Sequence, residues 1–314
     1  MKCIICKEEK DTVTSEHIFP EAIGGCFVIN CVCKECNDMM GNRIDCHLVN
    51  HWVIQGKRLT LKIHGKTGKI PNPLENGTLS SNNNQKIKYL INEKGDPENV
   101  YLVPNIQKNE TENGLLDVSI NLDISDKDKL PEIINKILRR KGLKELTEKE
   151  IFSNTTENTI SQPKINQSFL FDSEKYKKSI YKIAYEFSFY WLGELFLSDK
   201  TGEQIRQYIL YDGFDNKDKY ILNGDICFVE EKSKFPYCED TPESHIAILA
   251  RCGNKYVISI RIFSLIEAVV VVSNTASIYE NKTMFLINDP LSKTIRENTL
   301  NEELIRIGNK YVRE

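Results

Sequence analysis

The stretch that decides the fold of the N-terminal region begins with Cys3-Ile4-Ile5-Cys6 and ends with Cys33-Lys34-Glu35-Cys36-Asn37. Each Cys-x2-Cys pair puts two thiolates on one side of a tight turn, and two pairs complete a tetrahedral Zn²⁺ shell. Four thiolates leave no open coordination position, so this zinc is expected to be structural. It would stabilise a segment too small to build its own core. The predicted zinc ligands are Cys3, Cys6, Cys33 and Cys36.

The distribution of cysteines supports metal binding. Seven of the ten cysteines lie in the first 46 residues. In a reducing cytosol such crowding indicates metal ligands rather than disulfides. Cys31 precedes the second pair and is an alternative third ligand. The x2 spacing favours Cys33 with Cys36, because it repeats the spacing of the first pair.

Between and after the cysteine pairs lie further polar motifs. They are Glu16-His17-Ile18-Phe19-Pro20, Gly24-Gly25 and an asparagine, Asn37, directly after the second pair. This layout resembles the HNH endonuclease family, in the branch with a zinc knuckle, an acidic-His-Ile-x-Pro motif, a Gly-Gly turn and a terminal Cys-x2-Cys-Asn. The resemblance covers residues 3 to about 48. The combination is specific, whereas either half alone would be a weak signal.

The resemblance implies a fold of two short strands and a helix around a catalytic metal. It assigns Glu16 and Asn37 as metal ligands and His17 as the general base. Many relatives carry Asp where Glu16 stands. Asn30 is the candidate for the family's middle asparagine, which steadies the base. Asp45 matches an acidic position of this branch, as a ligand or an orienter; a helix-surface carboxylate is the alternative.

The expected chemistry follows from these residue types. The oxygen ligands are hard donors, which favour Mg²⁺ or Mn²⁺ over zinc at the second site. Glu16 and His17 are neighbours on a strand and therefore face opposite ways. A neutral His17 would take a proton from water, and the hydroxide would attack a backbone phosphorus in line. As the family implies, the products would carry 5′-phosphate and 3′-hydroxyl ends.

Contact with DNA requires a local basic surface, because the net charge of the chain is −3. No acidic residue lies between Cys46 and Glu75. The alternation over residues 58–64 predicts a strand, and 62–69 a hairpin that contacts phosphates with little sequence readout. A solvated hairpin is the alternative. The predicted nucleic-acid-binding residues are Lys57, Arg58, Lys62, Lys66 and Lys69.

The chain as a whole is predicted to be α+β, in three segments. Residues 1–56 would form the ββα nuclease domain with its zinc knuckle, ending in a helix from Asn37 to Trp52. Residues 57–165 would form a β-rich middle region with a charged helical linker. Residues 166–314 would form a mixed α/β domain with a hairpin turn at Gly253-Asn254 and a long helix from Asp172 or Ser173 to about Leu197. The predicted core stripe of that helix is Tyr176, Ile180, Ile183, Ala184, Phe187, Trp191 and Leu195.

Function and location are inferred from the same features. No apolar run reaches the ~20 residues of a membrane span, so the prediction is a cytoplasmic protein without membrane association. The leading function is a metal-dependent DNA endonuclease, with a role in restriction or anti-phage defence. The alternative is a zinc-stabilised nucleic-acid-binding or adaptor protein with a dormant HNH site. Residues 166–314 are expected to drive homo-oligomerisation or to receive a regulatory ligand or partner protein.

Overall fold

The computed structural model describes most of the chain, in the ranges 1–65, 67–80, 85–110, 116–169, 175–211, 222–229 and 243–311. These residues divide into two compact units. One unit joins Met1–Pro71 to Leu170–Glu314, and the other is Asn72–Phe169. Helices and antiparallel strands occupy separate segments, which confirms the α+β class.

The N-terminal segment has the predicted ββα arrangement. Strands β1 (Thr14–His17) and β2 (Val28–Val32) are antiparallel, with Glu16 opposite Ile29. Helix α1 (Lys34–Met40) follows directly from the second cysteine pair. The second knuckle therefore fixes the first turn of the helix that leads away from the hairpin.

The helix predicted over residues 37–52 is formed in part. Helix α1 passes through a π-helical turn, Gly41–Asp45, into helix α2 (Cys46–Val49). The predicted apolar face is confirmed as far as Leu48, since Met40, Ile44 and Leu48 are buried. The chain then turns, and Trp52, which is 40% exposed, starts a new helix instead of ending the old one.

The strand predicted over residues 58–64 is wrong. Helix α3 (Trp52–Leu61) occupies most of this stretch, and the His51 side chain caps it by accepting a hydrogen bond from the Val53 amide. Ile54 and Arg58, four residues apart, form its buried face. A short alternating pattern fits either element, and packing selected the helix. The hairpin is also wrong: the described residues 62–65 and 67–75 form no strand.

The second unit, Asn72–Phe169, is β-rich as predicted. Its four-stranded antiparallel sheet has the order β5-β4-β3-β8, and a separate ribbon pairs β6 with β7. The strands are β3 (Asn76–Leu79), β4 (Lys86–Ile91), β5 (Pro97–Leu102), β6 (Asn105–Glu110), β7 (Leu116–Asn121) and β8 (Ile165–Asn166). The helices are α4 (Leu130–Arg140) and α5 (Glu148–Ser153), and α5 begins with a capping box between Thr147 and Glu150.

The C-terminal part of the first unit contains a six-stranded antiparallel sheet with the order β14-β13-β10-β11-β12-β9. The strands are β9 (Gly224–Phe228), β10 (His245–Cys252), β11 (Lys255–Ile262), β12 (Ile266–Ser273), β13 (Met284–Asp289) and β14 (Thr294–Thr299). The helices are α6 (Lys175–Leu192), α7 (Lys200–Leu210) and α8 (Leu300–Tyr311). The predicted hairpin at Gly253-Asn254 is confirmed, because it joins β10 to β11.

Helix α6 connects this sheet to the N-terminal segment. The Ser179 hydroxyl donates to the Ile44 carbonyl at 2.8 Å, and the Tyr185 hydroxyl donates to the Ile4 carbonyl at 2.8 Å. All predicted stripe residues are buried except Leu195, which is 59% exposed. It lies outside the helix, which ends at Leu192 before a glycine with positive φ. The predicted caps, Asp172 and Ser173, lie outside the described residues.

The Gly-Gly turn of the nuclease hairpin is held by two buried polar residues of the sheet. His245 on β10 and Asn288 on β13 are cross-strand partners and have no exposed surface. His245 donates through Nε2 to the Ile23 carbonyl at 2.8 Å. Asn288 donates to the Gly24 carbonyl at 3.0 Å and accepts from the Cys26 amide at 2.8 Å. The turn is thereby fixed against the sheet.

Both positions of this turn require glycine, because neighbouring atoms lie too close to leave room for a Cβ. Gly24 has φ +89°, and a Cβ there would lie 2.3 Å from Cβ of Pro290. A Cβ on Gly25 would lie 1.9 Å from the carbonyl oxygen of Phe19. Either contact is too short for real atoms, so Gly24 allows close packing against Pro290 and Gly25 allows the turn to close on Phe19.

The predicted boundaries at 56 and 165 stay predictions; the structure groups Met1–Pro71 with Leu170–Glu314 around a shared apolar core. Among the described residues, no helix combines the length and hydrophobicity that crossing a bilayer requires.

The buried His245 makes the stability of the fold depend on pH. Burial lowers the pKa of His245 to about 4, against 6.5 for the free side chain. As pH falls from about 7.5 to 5, the unfolded chain binds a proton at this position and the folded chain does not. We expect a loss of about 2 kcal/mol of unfolding free energy over that range.

Urea unfolding at both pH values tests this, with His245→Gln as the comparison. The variant removes the titrating ring, so its unfolding free energy should fall by about 2 kcal/mol less between pH 7.5 and 5 than that of the wild type. An equal pH dependence in the two proteins would contradict the prediction.

Candidate metal centre and active site

The four predicted zinc ligands come together at one point. The Sγ atoms of Cys3, Cys6, Cys33 and Cys36 all lie within 4.8 Å of one another. Tetrahedral zinc with Zn–S bonds of ~2.3 Å needs sulfur atoms about 3.8 Å apart, so a slight contraction closes the shell. The Cys33 amide donates to the Cys3 sulfur at 3.3 Å, which favours the thiolate. The four cysteines therefore fit a structural zinc ion.

The alternative ligand, Cys31, lies outside this cluster. Its side chain is buried on strand β2, and burial raises the pKa of the Cys31 thiol to about 12. Four ligands must reach one ion, and Cys33 lies within the cluster of sulfur atoms whereas Cys31 does not, so the geometry favours Cys33 over Cys31.

The first knuckle is attached to the C-terminal helices by charged contacts. Lys7 forms a 2.5 Å ion pair with Glu203 and donates to the Leu197 carbonyl at 2.8 Å. Arg206 donates to the Ile5 carbonyl at 2.5 Å. Its guanidinium lowers the pKa of Glu203 to about 2. The zinc site is thus fixed to helix α7 as well as to its own hairpin.

His17 lies at the end of β1, on the wall of a cleft of about 550 Å³. Residues from three separate parts of the chain line this cleft. They include the Gly24-Gly25 turn, Lys62 and His64 after helix α3, and Pro290 and Lys293 between β13 and β14. The imidazole is therefore placed in a recess with two lysines, one of which comes from the C-terminal sheet.

Glu16 points the other way, as neighbouring strand positions do. The Glu16 side chain is 5% exposed and forms an ion pair with the ammonium of Lys182 on helix α6. The Lys182 side chain has no exposed surface. The same Nζ atom lies 3.0 Å from Oδ2 of Asp45 and 3.3 Å from Oε2 of Glu186. It also donates to the His17 carbonyl at 3.1 Å. Glu16, Asp45, Glu186 and Lys182 are called the buried tetrad below.

The charges of the buried tetrad are interdependent. Burial alone would lower the pKa of Lys182, but Asp45, Glu186 and Glu16 outweigh it and hold that pKa well above its usual value. Burial raises the pKa of Glu186 well above that of a free carboxyl. Lys182 is therefore the cation of the tetrad, and Glu186 is the carboxyl whose protonated form is favoured by burial.

Asn37 binds strand β1 through its side-chain amide. Nδ2 donates to the Thr14 hydroxyl at 3.0 Å and to the Ser15 carbonyl at 3.1 Å. Asn30, on β2, accepts from the Ser15 hydroxyl at 3.1 Å. Asn37 thus contacts both residues that precede Glu16, and Asn30 contacts the second of them. Their predicted roles, Asn37 as metal ligand and Asn30 as a support for the base, stay predictions.

The basic residues expected to contact DNA have different surroundings. Arg58 is 4% exposed, which removes its guanidinium from contact with a phosphate backbone. Lys57 forms a 3.3 Å ion pair with Glu243. Lys62 and Lys69 are exposed, and Lys62 lines the cleft. Lys66 lies outside the described residues.

A divalent ion held by Glu16 does not fit the site as it stands. The Glu16 and Asp45 carboxylates already bind a buried ammonium. Of the residues that the structure describes, those lining the cleft of His17 include neither Glu16, Asp45 nor Asn37. We therefore derive no catalytic step through such an ion.

Sequence reasoning missed Lys182 and Glu186. They stand at positions i and i+4 in a stretch of helix α6 that is otherwise almost entirely apolar. A helix that is apolar on all sides is buried, and buried charges need partners. Two opposite charges one turn apart in such a helix were therefore a readable signal of a buried ionic site, although not of its other members.

Fold and site together define a ββα segment with four cysteines placed to hold a zinc ion and a histidine at the end of its first strand. Residues 3–53 match the family model of the HNH endonucleases. This segment is therefore an HNH endonuclease domain, as the sequence motifs predicted. No curated protein and no solved structure matches the chain.

The zinc site gives a test with a matched pair of cysteines. Cys36→Ser should lose the bound zinc, from about one ion per chain to none, and leave the N-terminal segment unfolded, because the closed thiolate shell is a folding requirement. Cys31→Ser, a change of a buried neighbour outside the cluster, should keep the zinc. Metal analysis by mass spectrometry and limited proteolysis measure both effects. Retention of zinc by the Cys36 variant, or its loss from the Cys31 variant, would contradict this assignment.

Proposed function

We propose that this protein is an HNH-type endonuclease that hydrolyses phosphodiester bonds in DNA, with His17 as its general base. The observation that carries the proposal is the position of His17 in a cleft that also holds Lys62 and Lys293. A base beside two ammonium groups is suited to a phosphate diester, since the cations attract the phosphate and the imidazole can take the proton of an attacking water.

The chemistry assigned to the chain's own residues is limited to these groups. The His17 imidazole removes a proton from water as the oxygen attacks phosphorus. The bond from phosphorus to the 3′-oxygen breaks, which leaves a 5′-phosphate and a 3′-hydroxyl once that oxygen is protonated. Lys62 and Lys293 neutralise the phosphate charge and position the backbone.

The backbone around the proposed base is held in place by two sets of hydrogen bonds. The His17 carbonyl accepts from Lys182, and the adjoining Gly-Gly turn is bound by His245 and Asn288. Both supports come from the C-terminal part of the chain. Residues 170–314 therefore belong to the active unit, and a contribution of that region to control or oligomerisation would act on the nuclease segment directly. A defence role would suit such control.

A second candidate is a nucleic-acid-binding protein with a dormant HNH site. The observation that favours it is the ion pair of Glu16 with Lys182, since the family resemblance assigns Glu16 to the catalytic metal. This candidate predicts binding of DNA in the same cleft without cleavage at any concentration of Mg²⁺ or Mn²⁺.

A plasmid-nicking assay separates the two candidates. With Mg²⁺ or Mn²⁺, the full-length protein should nick DNA, and His17→Ala should lower the rate by about 10²–10⁴-fold, the usual contribution of a general base. His47→Ala, a histidine on helix α2 outside the cleft, is the control and should retain the rate. Binding without nicking would favour the dormant site. Equal nicking by wild type and the His17 variant would refute the role of His17.

The cleft lysines are tested by charge reversal. Lys293→Glu should raise KM for DNA several-fold and reduce by about one the slope of log affinity against log salt, because one phosphate contact is lost. Lys255→Glu is the matched control, since this exposed lysine begins strand β11, where it pairs with Cys252 at the opposite end of β10 from His245. A similar loss in both variants would indicate general repulsion of DNA rather than a contact in the cleft.

A further inference from the structure

The buried tetrad lies behind the hairpin that carries His17. Lys182 and Glu186 come from helix α6, Glu16 from strand β1 and Asp45 from the π-helical turn. Lys182 and Glu186 have no exposed side-chain surface, and Glu16 and Asp45 are 5% and 12% exposed. Charged groups reach such positions only when they compensate one another.

The surroundings of the Lys182 ammonium are those of a bound cation. Oxygens of Asp45, Glu186 and the His17 carbonyl lie 3.0, 3.3 and 3.1 Å from Nζ, and a Glu16 oxygen is closest. Mg²⁺ and Mn²⁺ also prefer all-oxygen shells, but at about 2.0–2.2 Å for Mg²⁺-like ions. The separations to Asp45 and to the His17 carbonyl are those of N–H···O hydrogen bonds, and the contact with Glu186 is a longer ion pair. The oxygens are therefore arranged around an ammonium.

We infer that Lys182 is the resident cation of this acidic site: its ammonium takes the place beside Glu16 and Asp45 that a divalent ion would need, so Glu16 is not a metal ligand in this protein. This goes beyond the proposed nuclease activity, since it holds whether or not the cleft cleaves DNA. It also departs from the ligand set that the family resemblance implies.

Displacement of the ammonium by a divalent ion is unfavourable for a structural reason. The Lys182 side chain has no exposed surface, and its helix contributes apolar residues such as Ile183 and Phe187 to the shared core. An ammonium moved away from its carboxylates would remain in that core without partners, which is far costlier than leaving the tetrad intact. The ion would also have to replace the hydrogen bond to the His17 carbonyl.

The same contacts make Lys182 a positioning residue for the proposed base. It binds the side chain of Glu16 and the carbonyl of His17, two successive residues at the end of β1. Helix α6 therefore determines the path of the backbone from which the His17 imidazole extends into the cleft. Its role does not require contact with substrate.

Binding of Mn²⁺ to the zinc-loaded, full-length protein tests the inference, with paramagnetic resonance as the readout. In Glu16→Gln, Lys182 keeps Asp45 and Glu186, so the fold should persist. The Mn²⁺ dissociation constant should change by less than about two-fold, because Glu16 contributes nothing to metal binding. A ten-fold or greater weakening would overturn the inference and return Glu16 to the metal.

Removal of the ammonium gives the converse result. Lys182→Met leaves the carboxylates of Glu16, Asp45 and Glu186 facing one another, and a new Mn²⁺ site should form that binds at least ten-fold more tightly than any site of the wild type. Adding Glu16→Gln to this variant should abolish the new site. Lys182→Arg keeps a cation beside the carboxylates and should therefore gain no new Mn²⁺ site.

If Lys182→Met folds only when Mn²⁺ is present, that dependence is the same new site measured through stability. If it fails to fold under all conditions, the Glu16→Gln titration decides alone. An unchanged Mn²⁺ affinity in Lys182→Met would contradict the inference. None of these readouts depends on cleavage, so they are independent of the nicking assay with the His17 variant.

Discussion

The ammonium of Lys182 lies where strand β1, the π-helical turn and helix α6 meet. It binds Glu16, Asp45 and Glu186 and the carbonyl of His17. A buried charge without its partners is strongly destabilising, whereas the complete set is tolerated. The HNH hairpin and helix α6 therefore have to adopt one relative position for all these charges to be compensated. The nuclease segment is consequently part of a larger unit, and its proposed base inherits its orientation from a helix far along the chain.

Two further constraints act on the same segment. The zinc knuckle replaces an apolar core that so short a stretch cannot build, and its loops are fixed from outside by Tyr185 and Arg206, which donate to the carbonyls of Ile4 and Ile5. The Gly24-Gly25 turn is bound by His245 and Asn288 on adjacent strands of the sheet. The hairpin of β1 and β2 is thus constrained at three places: by the cysteine cluster, by the buried tetrad at Glu16, and by the sheet at the Gly24-Gly25 turn.

This arrangement explains why Glu16 and His17, two neighbouring residues of the HNH motif, have different surroundings. Because strand side chains alternate, Glu16 faces the core and His17 faces the cleft. The cleft is completed by Lys62, which follows helix α3, and by Lys293, which follows strand β13. In the proposed function, the groups that attract phosphate to the base therefore come from the whole first unit, although the HNH family match ends at residue 53.

The local sequence determined the features that depend on spacing. Two Cys-x2-Cys pairs specify four sulfur atoms around one point, and a capping box specifies the start of helix α5. The turn signal at Gly253-Asn254 predicted the hairpin of β10 and β11. Over the short stretch 58–64, the apolar pattern fitted the period of a strand and that of a helix equally well. The burial of Ile54 and Arg58 on one face selected the helix.

Only the tertiary structure decided what Glu16 binds. The motif around it predicts a carboxylate beside a histidine, but its counter-ion, Lys182, stands 165 residues beyond His17. An unpaired charge in an apolar helix requires a partner, yet nothing in the local pattern says which carboxylate it meets. That choice belongs to the packing of helix α6 between hairpin and sheet, because the energy of a buried charge is set by the groups within a few ångströms of it.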